Sequence, residues 1–178
     1  MCSFILNRFI YFIDEVGFNV SMRLSRGRSV KGSRAVKVVP SIRSRNISVC
    51  CAISREGITH YHAQTKSCNT DYFIDFMKIL IEILKAQSVN KACFIMNKVP
   101  FHKAEKVRSI IDGTEYLISF LPPYSPFLNP IENMFSSWKH NVIKLEPSDE
   151  ETLFQYIIDG AQLIKPETYS MTKKTHHS

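Results

Sequence analysis

The chain of 178 residues has no run of about 18 consecutive apolar residues, so nothing in it reads as a membrane helix. The apolar start, Phe4 to Leu6 and Phe9 to Ile13, is interrupted by Arg8 and closed by Asp14-Glu15, and no small-residue cleavage site follows. It reads as a strand rather than as a signal peptide. Glycine is scarce, with 6 residues, and proline contributes 8. With 44% hydrophobic and 22% charged residues, collagenous, low-complexity and disordered classes are excluded. No repeat is visible. The five cysteines, Cys2, Cys50, Cys51, Cys68 and Cys93, form no C-x-x-C pair. Their number is odd, and Cys50, Cys51 and Cys93 lie in apolar runs where a thiol behaves as a small hydrophobe. Neither a zinc site nor a disulfide framework is expected, and the chain reads as intracellular. His60-x-His62 alternates like one face of a strand and has no further ligands near it in sequence.

A different absence is more informative. Between Val16 and Arg55 there is no Asp or Glu, while Arg23, Arg26, Arg28, Lys31, Arg34, Lys37, Arg43, Arg45 and Arg55 supply nine positive charges. The rest of the chain has a small acidic excess, so the whole formal charge of +7 originates in this stretch. A solvated surface normally mixes signs. An acid-free, Arg-rich stretch points to a polyanion, and Arg23, Arg26, Arg28, Lys31, Arg34, Lys37, Arg43 and Arg45 are the candidate nucleic-acid contacts.

Length predicts one domain over 1–165, followed by a disordered tail, 166–178. A strand is expected over Phe9 to Ile13, ending on Asp14-Glu15. A hairpin follows, Asn46 to Ser54 and Ile58 to Gln64, turned at Glu56-Gly57. Asn69 or Thr70 caps a helix with Phe73, Phe76, Met77, Leu80 and Leu84 on one face. Ala92 to Met96 is a buried strand ending at Asn97, His102 to Ile111 a short helix, and Tyr116 to Leu121 another strand. Asn129, Pro130 and Glu132 open a helix as a capping box, with Phe135 and Trp138 in the core. Ser148 to Glu151 reads as the capping box of the last helix, whose apolar face carries Leu153, Phe154, Ile157, Ile158, Ala161 and Ile164. Strands first, then alternating strands and helices, predict an α/β domain with a mixed sheet. Asp14, Asn97 and Glu132 fall at or after strand ends, where ligands of open α/β sheets gather.

Three segments carry a resemblance: Phe12-Ile-Asp14-Glu15; Phe94-Ile-Met-Asn97-Lys-Val-Pro-Phe-His102-Lys; and Leu121-Pro-Pro-Tyr-Ser-Pro-Phe-Leu-Asn-Pro-Ile-Glu132-Asn. They resemble the catalytic domain of cut-and-paste transposases of the Tc/mariner superfamily, from about Tyr11 to Val142. Thirty-four residues separate Asn97 from Glu132, the spacing of that family's second and third triad members. The resemblance implies an RNase H-like fold, DNA strand cleavage and transfer, and a triad of two aspartates and a third carboxylate holding Mg²⁺ or Mn²⁺. Asp14 and Glu132 match the first and third positions, as catalytic residues and metal ligands. Asn97 holds the second. Two Mg²⁺ ions about 4 Å apart clamp the attacking and leaving oxygens of a phosphodiester, and they require hard oxygen ligands.

An Asn offers one neutral oxygen where the family offers a full charge, and Lys98 stands where the family usually carries Asn. Together they shift local charge by about two units against a cation. Phe127 stands where the family often has Asp. Weakened metal binding and impaired catalysis are expected. Glu15, Glu105 and Asp112 are other carboxylates near the motifs in sequence. Relatives carry a helix-turn-helix module ahead of the catalytic domain; Asp14 follows Met1 so closely that this module is expected to be missing. DNA is the expected partner, with a second copy or a related transposase beside it, in the nucleus if the host is a eukaryote. The rival readings are a catalytically dead DNA-binding or transposase-associating protein, and a small nucleotide-handling α/β enzyme. No Gly-rich phosphate loop follows the first strand, which argues against the latter. Asp14 and Asn97 also admit a bland reading, as turn residues.

Overall fold

The computed structural model describes residues 7–22, 45–99, 105–123, 125 and 128–166. Among the described residues five strands and four helices follow one another as β1 (Phe9–Phe18), β2 (Ile47–Ser54), β3 (Gly57–Gln64), α1 (Thr70–Ala86), β4 (Ala92–Met96), α2 (Glu105–Ser109), β5 (Leu117–Phe120), α3 (Pro130–Lys144) and α4 (Glu150–Gln162). The sheet order is β3-β2-β1-β4-β5. β2 pairs antiparallel with both β1 and β3, whereas β4 pairs parallel with both β1 and β5. Connection length explains the split. Two residues, Arg55 and Glu56, separate β2 from β3, and Gly57 takes the positive φ of 136° beyond the turn. Parallel neighbours need a crossover. Here α1 lies in the connection before β4, and α2 in that between β4 and β5.

Pleating sends alternate residues of each strand to opposite faces, and each face has its own core. Tyr11 and Ile13 of β1, Cys50 and Ala52 of β2, and Phe94 and Met96 of β4 pack against Phe73, Phe76, Leu80 and Leu84 of α1. Val16 and Phe18 of β1, with Val49, Cys51 and Ile53 of β2, meet Ile131, Met134 and Trp138 of α3 and Leu153 and Ile157 of α4. Trp138 is fully buried, edge-on to Phe18 and Tyr61. Its indole Nε1–H donates to the Ile157 carbonyl at 2.9 Å, tying α3 to α4. Gly160 makes room for the indole, since a Cβ there would lie 3.0 Å from Trp138 Cδ1.

Several boundaries differ from the sequence reading. β1 does not end on Asp14-Glu15 but runs on to Phe18, because Asp14 to Phe18 pair with Cys51 to Ile47 of β2. Asn69 caps α1, its side chain accepting from the Tyr72 amide at 2.9 Å. The box opening α4 is shifted: Asp149 is the N-cap and Thr152 its reciprocal partner, rather than Ser148 and Glu151. Phe154, placed on the apolar face of α4, is 36% exposed. The short helix is confined to Glu105–Ser109, and residues 102–104 of the expected helix lie outside the described residues. Likewise 167–178 of the tail lie outside them. Among the described residues no helix is long and apolar enough to cross a membrane.

Candidate active site

The parallel pairing of β1 and β4 ends at Ile13 and Met96. One residue further along each strand come Asp14 and Asn97, so strand register alone sets them side by side. Asp14 continues the series Phe12, Val16 and Phe18 on the sheet face covered by α3. The contact is direct: Asn97 Nδ2 donates to Asp14 Oδ2 at 2.7 Å. A second amide reaches the same oxygen, Asn129 Nδ2 at 2.9 Å. The Glu15 backbone N–H donates to Asp14 Oδ1 at 2.9 Å. A carboxylate only accepts, which fixes both amides with nitrogen inward.

Asp14 is 7% exposed. Burial pushes its carboxyl up to about 6, and the negative charges of Glu132 and Glu15 push in the same direction. The Glu15 amide and the Asn129 side chain oppose the shift without cancelling it. Glu132 lies in the first turn of α3, exposed, and its charge reaches Asp14. Two carboxylates therefore share one electrostatic site, with an asparagine against the first.

The capping box expected at Asn129 is absent. Asn129 is the N-cap and Pro130 follows in the first turn, but the Asn129 side chain makes no cap hydrogen bond. The amide is spent on Asp14 instead, and Asn129 is 3% exposed. Sequence reasoning missed this role. The signal was present in Leu-Asn-Pro-Ile-Glu, where an Asn before a helix-opening proline either caps or reaches outward, and local sequence does not distinguish the two.

The other candidates separate. Glu15 alternates to the opposite face of the sheet, beside Cys50 and Cys68, so it does not replace the missing carboxylate. Glu105 and Asp112 are exposed on and after α2. Lys98 is exposed next to Asn97. Arg45 is exposed just ahead of β2, whereas Arg23, Arg26, Arg28, Lys31, Arg34, Lys37 and Arg43 lie outside the described residues, as does Phe127. His60 stacks on Phe76 of α1, and His62 packs tilted against Tyr72.

Asp14 and Glu132 offer hard carboxylate oxygens of the kind a divalent cation such as Mg²⁺ takes, whereas Asn97 turns an N–H toward Asp14. Three N–H groups already occupy most of the roughly four lone-pair positions of the Asp14 carboxylate. Little is left for an oxygen that must bridge a pair of ions.

Comparison with known proteins bears on the family and the fold. The family profile described as DDE superfamily endonuclease matches residues 9–154. A pre-cleavage Mos1 transpososome superposes with a TM-score of 0.74 at 17% identity, over 91% of this chain and 51% of that one. The Mos1 mariner paired end complex with Mn gives 0.73 at 16%, over 91% and 50%. The catalytic domain of Mos1 mariner transposase gives 0.67 at 16%, over 91% and 74%. The chain thus spans about half the length of the transposase chains in the complexes. No curated protein matches it in sequence. The likeness in fold identifies the mixed sheet as RNase H-like.

Proposed function

The chain belongs to the DDE superfamily endonuclease family, and from that premise we propose a transposase-derived DNA strand cleavage and transfer domain with a weakened metal centre. One observation carries the weakening: the Asn97 amide donates to Asp14 at 2.7 Å, where the family resemblance implies a second aspartate. Asp14 and Glu132 are the proposed ligands of one Mg²⁺ or Mn²⁺. When bound, such an ion would polarise a phosphodiester oxygen and favour a water as nucleophile. The chain's own residues do the rest. Asn129 and the Glu15 amide hold the Asp14 carboxylate in one orientation. Asn97 supplies an N–H where a second negative charge would be needed. Mos1 structures containing transposon ends, Mg or Mn support DNA and a divalent ion as partners by analogy. Arg23, Arg26, Arg28, Lys31, Arg34, Lys37, Arg43 and Arg45 are proposed to track DNA phosphates, with a second transposase chain alongside.

The test is nicking of supercoiled DNA in Mn²⁺. Wild type nicks weakly, and Asn97→Asp, alone or with Lys98→Asn, nicks faster. Robust nicking by wild type, abolished by Asp14→Ala, overturns the impairment. A second reading is a catalytically silent DNA-binding or transposase-associating protein. The two amides on Asp14 Oδ2 favour it, because they satisfy the buried carboxylate without a cation. No nicking by any variant, with DNA binding that weakens by about 0.9 in log K per contacted phosphate for each decade of salt, selects that reading.

A further inference from the structure

The face of the sheet away from Asp14 holds a second convergence of ligand atoms. Glu15 of β1 pairs with Cys50 of β2, and Cys50 pairs with His62 of β3. Directly paired residues of antiparallel strands share a face. The three therefore form a row across the sheet, on the side covered by α1. Cys68, in the connection between β3 and α1, comes down on this row with its Sγ 3.3 Å from Cys50 Sγ. One carboxylate oxygen of Glu15 and the two sulfurs all lie within 4.8 Å of one another.

We propose that Glu15, Cys50 and Cys68 form a site for a thiophilic divalent cation of the zinc class. Zinc bonds of about 2.3 Å to sulfur and about 2.1 Å to oxygen place tetrahedral ligands roughly 3.4–3.8 Å from one another, close to the spacing observed. Two sulfurs with one carboxylate select a softer ion than the all-oxygen and amide set around Asp14. The ligands come from β1, β2 and the loop before α1, so the ion would tie that loop to the sheet. Cys50 is fully buried and Cys68 half-buried, which limits exchange with water. His62, next in the row, packs against Tyr72 and lies outside this group, so the fourth position falls to water. Binding releases the two thiol protons. Two thiolates and one carboxylate around a doubly charged ion leave a net charge of −1. A disulfide between Cys50 and Cys68 is the competing product. None of this rests on the proposed function of Asp14.

The experiment uses the full chain, reduced and stripped with chelator, and Co²⁺ alone as the probe. One equivalent should bind with a thiolate-to-cobalt charge-transfer band, and Zn²⁺ should displace it. Cys68→Ser should lose about half of the band and weaken binding by more than the ~10-fold typical of removing an outer-shell partner. Glu15→Gln should weaken binding while keeping the band. Glu132→Gln should leave both unchanged. Cys68 is half-buried, so its variant remains decisive even where Cys50→Ala fails to fold. A reduced wild type without the band, or a band unchanged in Cys68→Ser, overturns the site. So does a pair that oxidises to a disulfide while the reduced chain binds no Co²⁺.

Discussion

Asp14 and Glu15 are consecutive carboxylates of one strand, and pleating gives them different chemistry. Asp14 looks toward α3, where two asparagine amides and the charge of Glu132 surround it. Glu15 looks toward α1, where two cysteine sulfurs converge. One environment is hard and crowded with N–H donors; the other is soft and sulfur-rich. The difference shows that residue type alone did not set the role of either carboxylate. The neighbouring strand did, through β4 for Asp14 and β2 for Glu15.

The comparison can be broken from the Asp14 side, beginning with the largest effect. Without metal, the folded chain binds the Asp14 proton more tightly than the unfolded chain, because its carboxyl is raised from 3.8 to about 6. This contribution favours folding fully below pH ~4 and is lost as pH rises through about 6. The loss amounts to roughly 3 kcal/mol. Asp14→Asn should abolish it, so the stability difference between wild type and variant should change sharply over that window in denaturant titrations with chelator. A flat difference would mean that Asp14 is not held in a dry site.

Next in size is Asn129→Ala, which removes a donor from a buried acceptor and should cost about 1–3 kcal/mol. If Asn129 were merely a cap, Asn129→Ser would restore stability; if it serves Asp14, Ser should not. Smaller again, Asn97→Asp should lower stability in chelator, since like charges oppose ionisation. In millimolar Mn²⁺ it should gain a thermal shift equivalent to at least ~1.4 kcal/mol, a tenfold gain in affinity, over wild type. Glu132→Gln should change stability by less than ~0.5 kcal/mol, because no capping box depends on it. It should nevertheless erase the Mn²⁺ shift of Asn97→Asp. All five variants should leave Co²⁺ binding on the Glu15 side untouched, and a variant that alters both sides would show that the two faces are coupled.

Much of this was legible in sequence because it is local. The apolar spacing of Phe73, Phe76, Met77, Leu80 and Leu84 announces α1, and each of them is buried. Asp14, Asn97 and Glu132 could be picked out by their motifs, and the fold brings the first two into contact. What could not be read depended on distant partners. β1 continues past Asp14 because β2, some thirty residues away, supplies the hydrogen bonds for a stretch opened by two carboxylates and containing a glycine. Asn129 serves a carboxylate 115 residues earlier in the chain instead of its own helix. Cys68 meets Cys50 only because the loop after β3 folds back over the sheet.

The notch at Gly160 has a mechanical consequence at the other end of α3. The helix carries Trp138 six residues after Glu132, roughly 9 Å along its axis. Trp138 is seated like a peg against α4, with its indole hydrogen-bonded to Ile157 and its edge against Gly160. A rigid rod located by a peg transmits any shift of the peg to its tip. Gly160→Ala would press a methyl against the indole, and its mark on the site would be a displaced Glu132 carboxylate, altered by a residue on a different helix. The tolerance of the carboxylate pair is thus set by how well one glycine fits one tryptophan.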